Sequence, residues 1–145
     1  MTALVTGAAG FIGSHLAEQL IADGASVIGL DCFTDYYARD LKEANLAALR
    51  RRAGFRFVES TIQAADWPAL LPGVTHLFHL AAQAGIRGSW GRDFRVYTAH
   101  NIDATQALLE ACRDAPLQRF VHASSSSVYG AGATLPLRED APLQP

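Results

Sequence analysis

Two clusters of residues in this 145-residue chain have the types and spacing for chemistry. The first is Gly7-Ala8-Ala9-Gly10-Phe11-Ile12-Gly13, with glycine at every third position directly after a short apolar run. A loop of this kind that opens a helix is an anion site. Gly7 permits the tight turn, Gly10 lets the backbone approach a pyrophosphate, and Gly13 lets the helix pack closely on the sheet. The unpaired N–H groups and the dipole of the helix start, which includes Phe11 and Ile12, supply the attraction. The second cluster is Ala123-Ser124-Ser125-Ser126-Ser127-Val128-Tyr129-Gly130. Four serines alone would read as a flexible linker, but the apolar run before them and Val128-Tyr129-Gly130 after them argue against that.

Asp31 narrows what the glycine loop holds. It follows the second apolar run, about twenty residues beyond the loop, where an acid accepts hydrogen bonds from the adenosine ribose hydroxyls of a dinucleotide. Its charge would repel a 2′-phosphate, and no arginine follows at once to offset that. The expected cofactor is therefore NAD rather than NADP. No metal is expected. His76 and His79 are three apart on a strand and point to opposite faces, and Cys32 and Cys112 fit no metal spacing. His79 is expected near the cofactor end of the sheet and His76 on the other side. His15, His100 and His122, each alone, read as structural.

The elements that must position these residues alternate along the chain. Strands are predicted over 3–5, 26–30, 55–58, 76–80 and 119–123. Helices are predicted over 11–22, with Ile12, Leu16, Leu20 and Ile21 as its stripe, and over 38–52, with Leu41, Ala44, Ala48 and Leu49. A long helix is predicted over 93–114, with Ile102, Thr105, Leu109 and Cys112. Gly24 and Gly54 end the first two helices. Asp66 can cap a short helix with Pro68 in its first turn. The result is α/β: a Rossmann-type, doubly wound parallel sheet with helices on both faces and strand order 3-2-1-4-5. Ligands of such sheets bind at the carboxyl ends of the strands, beside the switch between strands 1 and 4.

Composition supports a globular chain: half its residues are hydrophobic and 18% are charged. A chain of this length buries about 70% of its unfolded surface, enough for a core. The net charge of −2 argues against nucleic acid or a membrane surface as partner. The basic run Arg50-Arg51-Arg52 reads as a helix end, where cations favour the dipole. No leader and no membrane span are apparent, so a cytoplasmic protein with reduced cysteines is expected.

The spacing Gly-x-x-Gly-x-x-Gly resembles that of the short-chain dehydrogenase/reductase superfamily. Thr6-Gly7-Ala8-Ala9-Gly10-Phe11-Ile12-Gly13-Ser14-His15-Leu16 resembles its extended branch, the NAD-dependent nucleotide-sugar epimerases and dehydratases. Three later segments agree in order. His79-Leu80-Ala81-Ala82-Gln83-Ala84-Gly85 resembles the strand-four end that runs under the cofactor. Asn101-Ile102-Asp103-Ala104-Thr105 resembles the helix segment whose Asn steadies the active site, and the serine run resembles the strand-five end with the catalytic Ser or Thr. Asp31-Cys32-Phe33-Thr34-Asp35-Tyr36-Tyr37, with Leu41-Lys42, and Ala84-Gly85-Ile86-Arg87 are similar to the UDP-glucuronate 4-epimerase group.

The resemblance implies roles. Counting back from Val128, Ser125 matches the catalytic Ser/Thr. The dehydratases have Asp-Glu at the next two places, where this chain has Ser126 and Ser127, so an epimerase is expected. Leu80, Ala81, Ala82 and Asn101 are implied at the cofactor, and Arg87 and Ser126 at the substrate. The family's Asp-Ile after strand three is Thr61-Ile62 here, a weaker acceptor for the adenine amino group. No Tyr-x-x-x-Lys occurs in the 145 residues. The resemblance thus implies that residues 1–145 are the NAD-binding domain, the amino-terminal part of a longer enzyme truncated before its substrate domain. By this reading the full-length protein is a homodimer acting on a UDP-sugar, and the fragment alone is inactive. A nucleotide-sugar decarboxylase or dehydratase, or a non-catalytic dinucleotide sensor, is the alternative.

Overall fold

Ala3, Leu4 and Val5 are fully buried although they are neighbours in sequence. Successive side chains of a strand point to opposite faces, so an unbroken apolar run must be covered on both. That places β1 (Thr2–Thr6) at the centre of the sheet. The computed structural model, which describes residues 1–132 and 134–145, has β1 paired in parallel with β2 (Ser26–Asp31) and with β4 (His76–His79). β3 (Phe55–Glu59) lies outside β2 and β5 (Arg119–His122) outside β4, also parallel. The order is β3-β2-β1-β4-β5, as the alternation of elements predicts. Thr6 stands level with Leu30 on one side and His79 on the other, so the carboxyl ends of the central strands share one edge.

Each face of the sheet has its own core. Ala3, Val5 and Val27 pack with Ala17 and Leu20 of α1 (Phe11–Ala22) and Leu46 of α2 (Arg39–Ala47). Leu4, Leu30 and Leu77 pack with Trp67 and Leu70 of α3 (Trp67–Leu70) and with Leu108 of α5 (Ala104–Cys112). Asp66 caps α3 by accepting the Ala69 N–H at 3.2 Å, with Pro68 in the first turn. Gly24 and Gly54 take φ of 85° and 88°, the left-handed geometry that ends a helix.

Three helices bury part of the predicted stripe and turn the rest outward: Leu20, Leu49 and Cys112 are buried as expected, and Leu16 and Ile21 pack partly buried against the core that holds Leu20. In α1 the buried residues are Gly13, Ser14, Ala17 and Leu20, while Ile12 is 68% exposed. A Cβ at position 13 would stand 2.1 Å from the Gly7 carbonyl oxygen, so only small residues can face the turn that closely. In α2, which ends at Ala47 and passes into a 3₁₀ turn (Leu49–Arg51), Lys42, Leu46 and Leu49 point in and Leu41 points out. The predicted long helix is three segments: α4 (Phe94–Tyr97), a π segment (Thr98–Asp103) and α5. Its inner face is Ala104, Leu108 and Cys112; Ile102 and Leu109 are exposed. This helix carries apolar residues on two sides, and the wider π turn sets which side meets the sheet. Both cysteines are free.

Candidate functional site

The turn after β1 is held by its own backbone and by two side chains. Gly7, at φ 73°, donates its N–H to the Leu30 carbonyl at 2.8 Å, and Gly10 donates to the Gly7 carbonyl at 3.0 Å. A side chain at position 7 would meet the Ala81 nitrogen at 2.9 Å, so the loop lies directly against the chain leaving β4. Asp31 braces the loop from β2: its Oδ2 accepts the Ala9 N–H at 3.0 Å and its Oδ1 accepts the Phe33 N–H at 2.8 Å. Asn45 of α2 donates to the Ala9 carbonyl at 2.9 Å. The amino end of α1 has Gly10 as its N-cap, with no side-chain cap. A twelve-residue helix with an uncapped start is an anion site.

A cleft opens there, at the switch between β1 and β4. Among the residues singled out from sequence, Gly7, Gly10, Phe11, Asp31, Ile62, Leu80, Ala81 and Ala82 line it. Ile12, Gly13 and Thr61 do not. Gly13 is buried under the turn, and Ile12 faces outward. The Thr61 hydroxyl accepts the Ala64 N–H at 3.2 Å in a local turn, leaving Ser60 and Gln63 at the wall. An elongated cofactor with a central diphosphate fits this shape: an uncapped helix start in the middle, an acid on one side and small apolar residues beneath.

Tyr36, Tyr37 and Lys42, which enter the sequence reading only in a motif similar to the UDP-glucuronate 4-epimerase group and with no role, stand in the cleft wall. Lys42 is 4% exposed; its ammonium donates to the Thr34 carbonyl at 2.5 Å and lies 4.7 Å from the centre of the Tyr37 ring. A signal for that place was present. Lys42 shares a helical face with Leu46 and Leu49, and a cation on an apolar face asks for a partner.

A second cavity adjoins the first: Ala81, Ala82 and Ala84 line both. Its far wall carries Asn101, Thr105, His122, Ser124 and Ser125. Ser125 stands just past β5 and caps a 3₁₀ turn (Ser126–Tyr129), its Oγ accepting the Ser127 N–H at 3.1 Å. Its hydroxyl hydrogen stays available to a second acceptor. Asn101 sits in the π segment and grips the backbone of Gln83, accepting its N–H at 2.7 Å and donating to its carbonyl at 3.1 Å. Asn101 therefore belongs to the second cavity rather than to the cleft beside Asp31. Arg87 and Ser126 lie outside the lining of both.

His79 lies beneath this wall, fully buried, with Thr6 and Thr105 as partners and the His122 ring 5.2 Å away. Burial, and secondarily His122, lower its pKa to about 4. His76, on the other face, meets the Thr75 hydroxyl at 2.9 Å. Among the described residues no group of three His, Cys, Asp or Glu could hold a metal ion, and no helix is long and apolar enough to cross a membrane.

Residues 3–145 match the model of the NAD dependent epimerase/dehydratase family. The chain is 53% identical over 131 residues to an uncharacterized UDP-glucose epimerase, YtcB, of Bacillus subtilis, covering 90% of this chain and 42% of that protein. It is 43% identical over 143 residues to UDP-glucuronate 4-epimerase 4 of Arabidopsis thaliana, covering 96% of this chain and 32% of that one. The UDP-glucuronic acid 4-epimerase of Bacillus cereus, solved in complex with UDP-glucuronic acid and NAD, superposes on it with a TM-score of 0.92 at 42% identity. That superposition covers all of this chain and 46% of the other. The chain thus spans less than half the length of these relatives.

Proposed function

The chain belongs to the NAD dependent epimerase/dehydratase family, and from that premise we propose that residues 1–145 form the NAD-binding domain of a UDP-sugar 4-epimerase. The observation that carries the reading is the wall of Ala81, Ala82 and Ala84 that the two cavities share. A cofactor with its diphosphate at the amino end of α1 and its adenosine ribose at Asp31 would extend over Ala81 and Ala82 towards Ser125. The solved relative from Bacillus cereus, with NAD and a UDP-sugar bound, supports the same assignment.

The residues divide the work. The backbone of Gly7, Gly10, Phe11 and Ile12 offers N–H groups to the diphosphate, Gly13 keeps α1 close, and Asp31 accepts from the ribose. Ile62 covers the adenine on one side, and the Thr61 hydroxyl, held in its own turn, contributes little to it. Bound NAD would supply the hydride chemistry that takes C4 of the sugar through a ketone and back. Ser125 orients the sugar 4-hydroxyl and relays its proton to a tyrosine base, which the family's Tyr-x-x-x-Lys would supply from outside residues 1–145. With Ser126 and Ser127 in place of an acid pair, the chain has no groups beside Ser125 to expel a hydroxyl, which favours epimerisation over dehydration. Arg87 and Ser126, outside both linings, are assigned to the substrate by the family resemblance of their segments alone. The exposed Ile102 and Leu109 support a homodimer of the whole enzyme.

The test uses the protein expressed from the whole reading frame, incubated with NAD and either UDP-glucuronate or UDP-glucose, with the 4-epimer resolved by proton NMR. Conversion is expected, and Ser125→Ala is expected to lower kcat by about 10²-fold. Residues 1–145 alone should bind NAD and not turn over, since no Tyr-x-x-x-Lys lies within them. A dehydrated or decarboxylated product would overturn the epimerase assignment.

A further inference from the structure

The ring of His79 is 1% exposed, and both its nitrogens are engaged: Thr6 Oγ1 lies 2.8 Å from Nδ1 and Thr105 Oγ1 lies 3.0 Å from Nε2. The surrounding bonds fix which way the hydrogens run. Thr6 Oγ1 accepts the N–H of Leu80 and of Ala81, both at 3.2 Å, so its own hydrogen is directed at Nδ1. Nε2 therefore carries the ring hydrogen and donates to Thr105, whose hydroxyl donates to the Asn101 carbonyl at 2.8 Å. A single line of hydrogen bonds thus runs from the residue before the glycine loop to the π segment. It arrives where the helix changes from π to α pitch, and such irregular turns recur at functional sites.

From Asn101 the line continues to the cavity wall. Its side chain holds both backbone groups of Gln83, at 2.7 and 3.1 Å. The Tyr97 hydroxyl lies against the carbonyls of Ala84, at 3.2 Å, and of Gly85. The segment 83–85 is thereby tied to the helix. Thr105, Asn101 and Gln83 all line the second cavity, and none lines the cleft at Asp31.

We propose that His79 is a positioning residue for the nicotinamide half of the cofactor site: through Thr105 it sets the π turn that aims Asn101 at residues 83–85. A Leu of similar size would pack in the same place but leave the Thr6 hydroxyl hydrogen without its acceptor and the Thr105 oxygen without its donor. The Thr6 arm secures the β1–β4 edge, and the Thr105 arm shapes the second cavity. This rests on the assignment of the two cavities to NAD.

The two arms can be cut separately. The amide of His79→Asn reaches the position of Nδ1 and keeps a partner for Thr6, but not for Thr105. The longer amide of His79→Gln reaches Thr105. NAD and ADP are titrated calorimetrically into the wild-type chain and both variants, because ADP occupies only the first cavity. The expected result is that His79→Asn leaves ADP affinity within about twofold and lowers the preference for NAD over ADP about tenfold, the effect of one lost positioning bond. His79→Gln should restore it. Thr105→Val, with His79 intact, cuts the same arm, should show the same tenfold loss, and stands in if His79→Asn fails to fold. Equal weakening of NAD and ADP, no change in either, or failure of His79→Gln to rescue would overturn the role of His79. A wild-type chain that binds ADP and NAD equally, or neither, would instead overturn the cavity assignment and the inference with it.

Discussion

The carboxylate of Asp31 meets the backbone N–H of Ala9 at 3.0 Å, so the last residue of β2 and the middle of the glycine loop hold each other. Its other oxygen takes the Phe33 N–H at 2.8 Å. The acid proposed to receive the ribose therefore also braces the loop proposed to receive the diphosphate. Asp31→Ala should raise the Kd for NAD about tenfold or more, since it removes both. The loss of two bonds to a carboxylate should also cost about 2 kcal/mol in urea unfolding. Calorimetric titration and denaturation on one preparation check both.

Gly13 shows how little room the turn leaves. Its Cβ would lie 2.1 Å from the Gly7 carbonyl oxygen, which is backbone and cannot swing aside. Gly13→Ala should destabilise the chain by about 3 kcal/mol or more, through displacement of α1. Gly24→Ala is the comparison: it meets nothing within 4 Å, but φ is 85°. There the cost should be about 1 kcal/mol, from backbone strain alone. Urea denaturation of the pair gives the contrast.

The inward faces of the helices make a similar contrast between neighbours. Leu108 is fully buried and Leu109 is 51% exposed. Leu108→Ala should cost about 2–5 kcal/mol in unfolding free energy, and Leu109→Ala about 0.5 kcal/mol or less. The reverse ranking would restore the face that apolar spacing suggests.

That spacing marks where the sequence was readable. Strand order follows from the alternation of elements, and the apolar run at Ala3, Leu4 and Val5 can only be a strand covered on both sides. The glycine loop and Asp31 carry their meaning in local order, because a turn, a helix start and a strand end are short-range structures. Helix orientation is less legible. Where apolar residues occupy two sides, as Leu108 and Leu109 do, the choice depends on how closely the backbone can approach the sheet. In α1, Gly13 and Ala17 win the inner face over the larger Ile12 because the turn is so near. Lys42 was hidden for another reason: its stem counts as apolar surface while its ammonium finds Thr34, a partner eight residues earlier. The π segment could not be read at all. Its pitch is set by side-chain bonds from Asn101 and Thr105 to residues far away in sequence.

His79 gives a pH dependence of defined sign. Its folded pKa is about 4, against about 6.5 in the unfolded chain. Above that upper value both states are neutral and the term is constant. As pH falls from 6.5 towards 4, the unfolded state binds a proton that the folded state refuses, so stability decreases. The loss by pH 4 is on the order of 3 kcal/mol from this residue. Urea midpoints from pH 7 to pH 4 should fall for the wild type and fall less for His79→Gln. Parallel curves for the two would show that His79 takes up its proton without unfolding.

The most direct test of the cofactor assignment is a calorimetric titration of the chain with NAD and, separately, with NADP. With Asp31 at the ribose, the 2′-phosphate of NADP brings like charge against a carboxylate that is already holding the glycine loop. NAD should bind at least about tenfold more tightly than NADP, with the gap narrowing as salt is raised. Equal affinity for the two, or no binding of NAD, would contradict the placement of NAD in the cleft between Asp31 and the glycine loop.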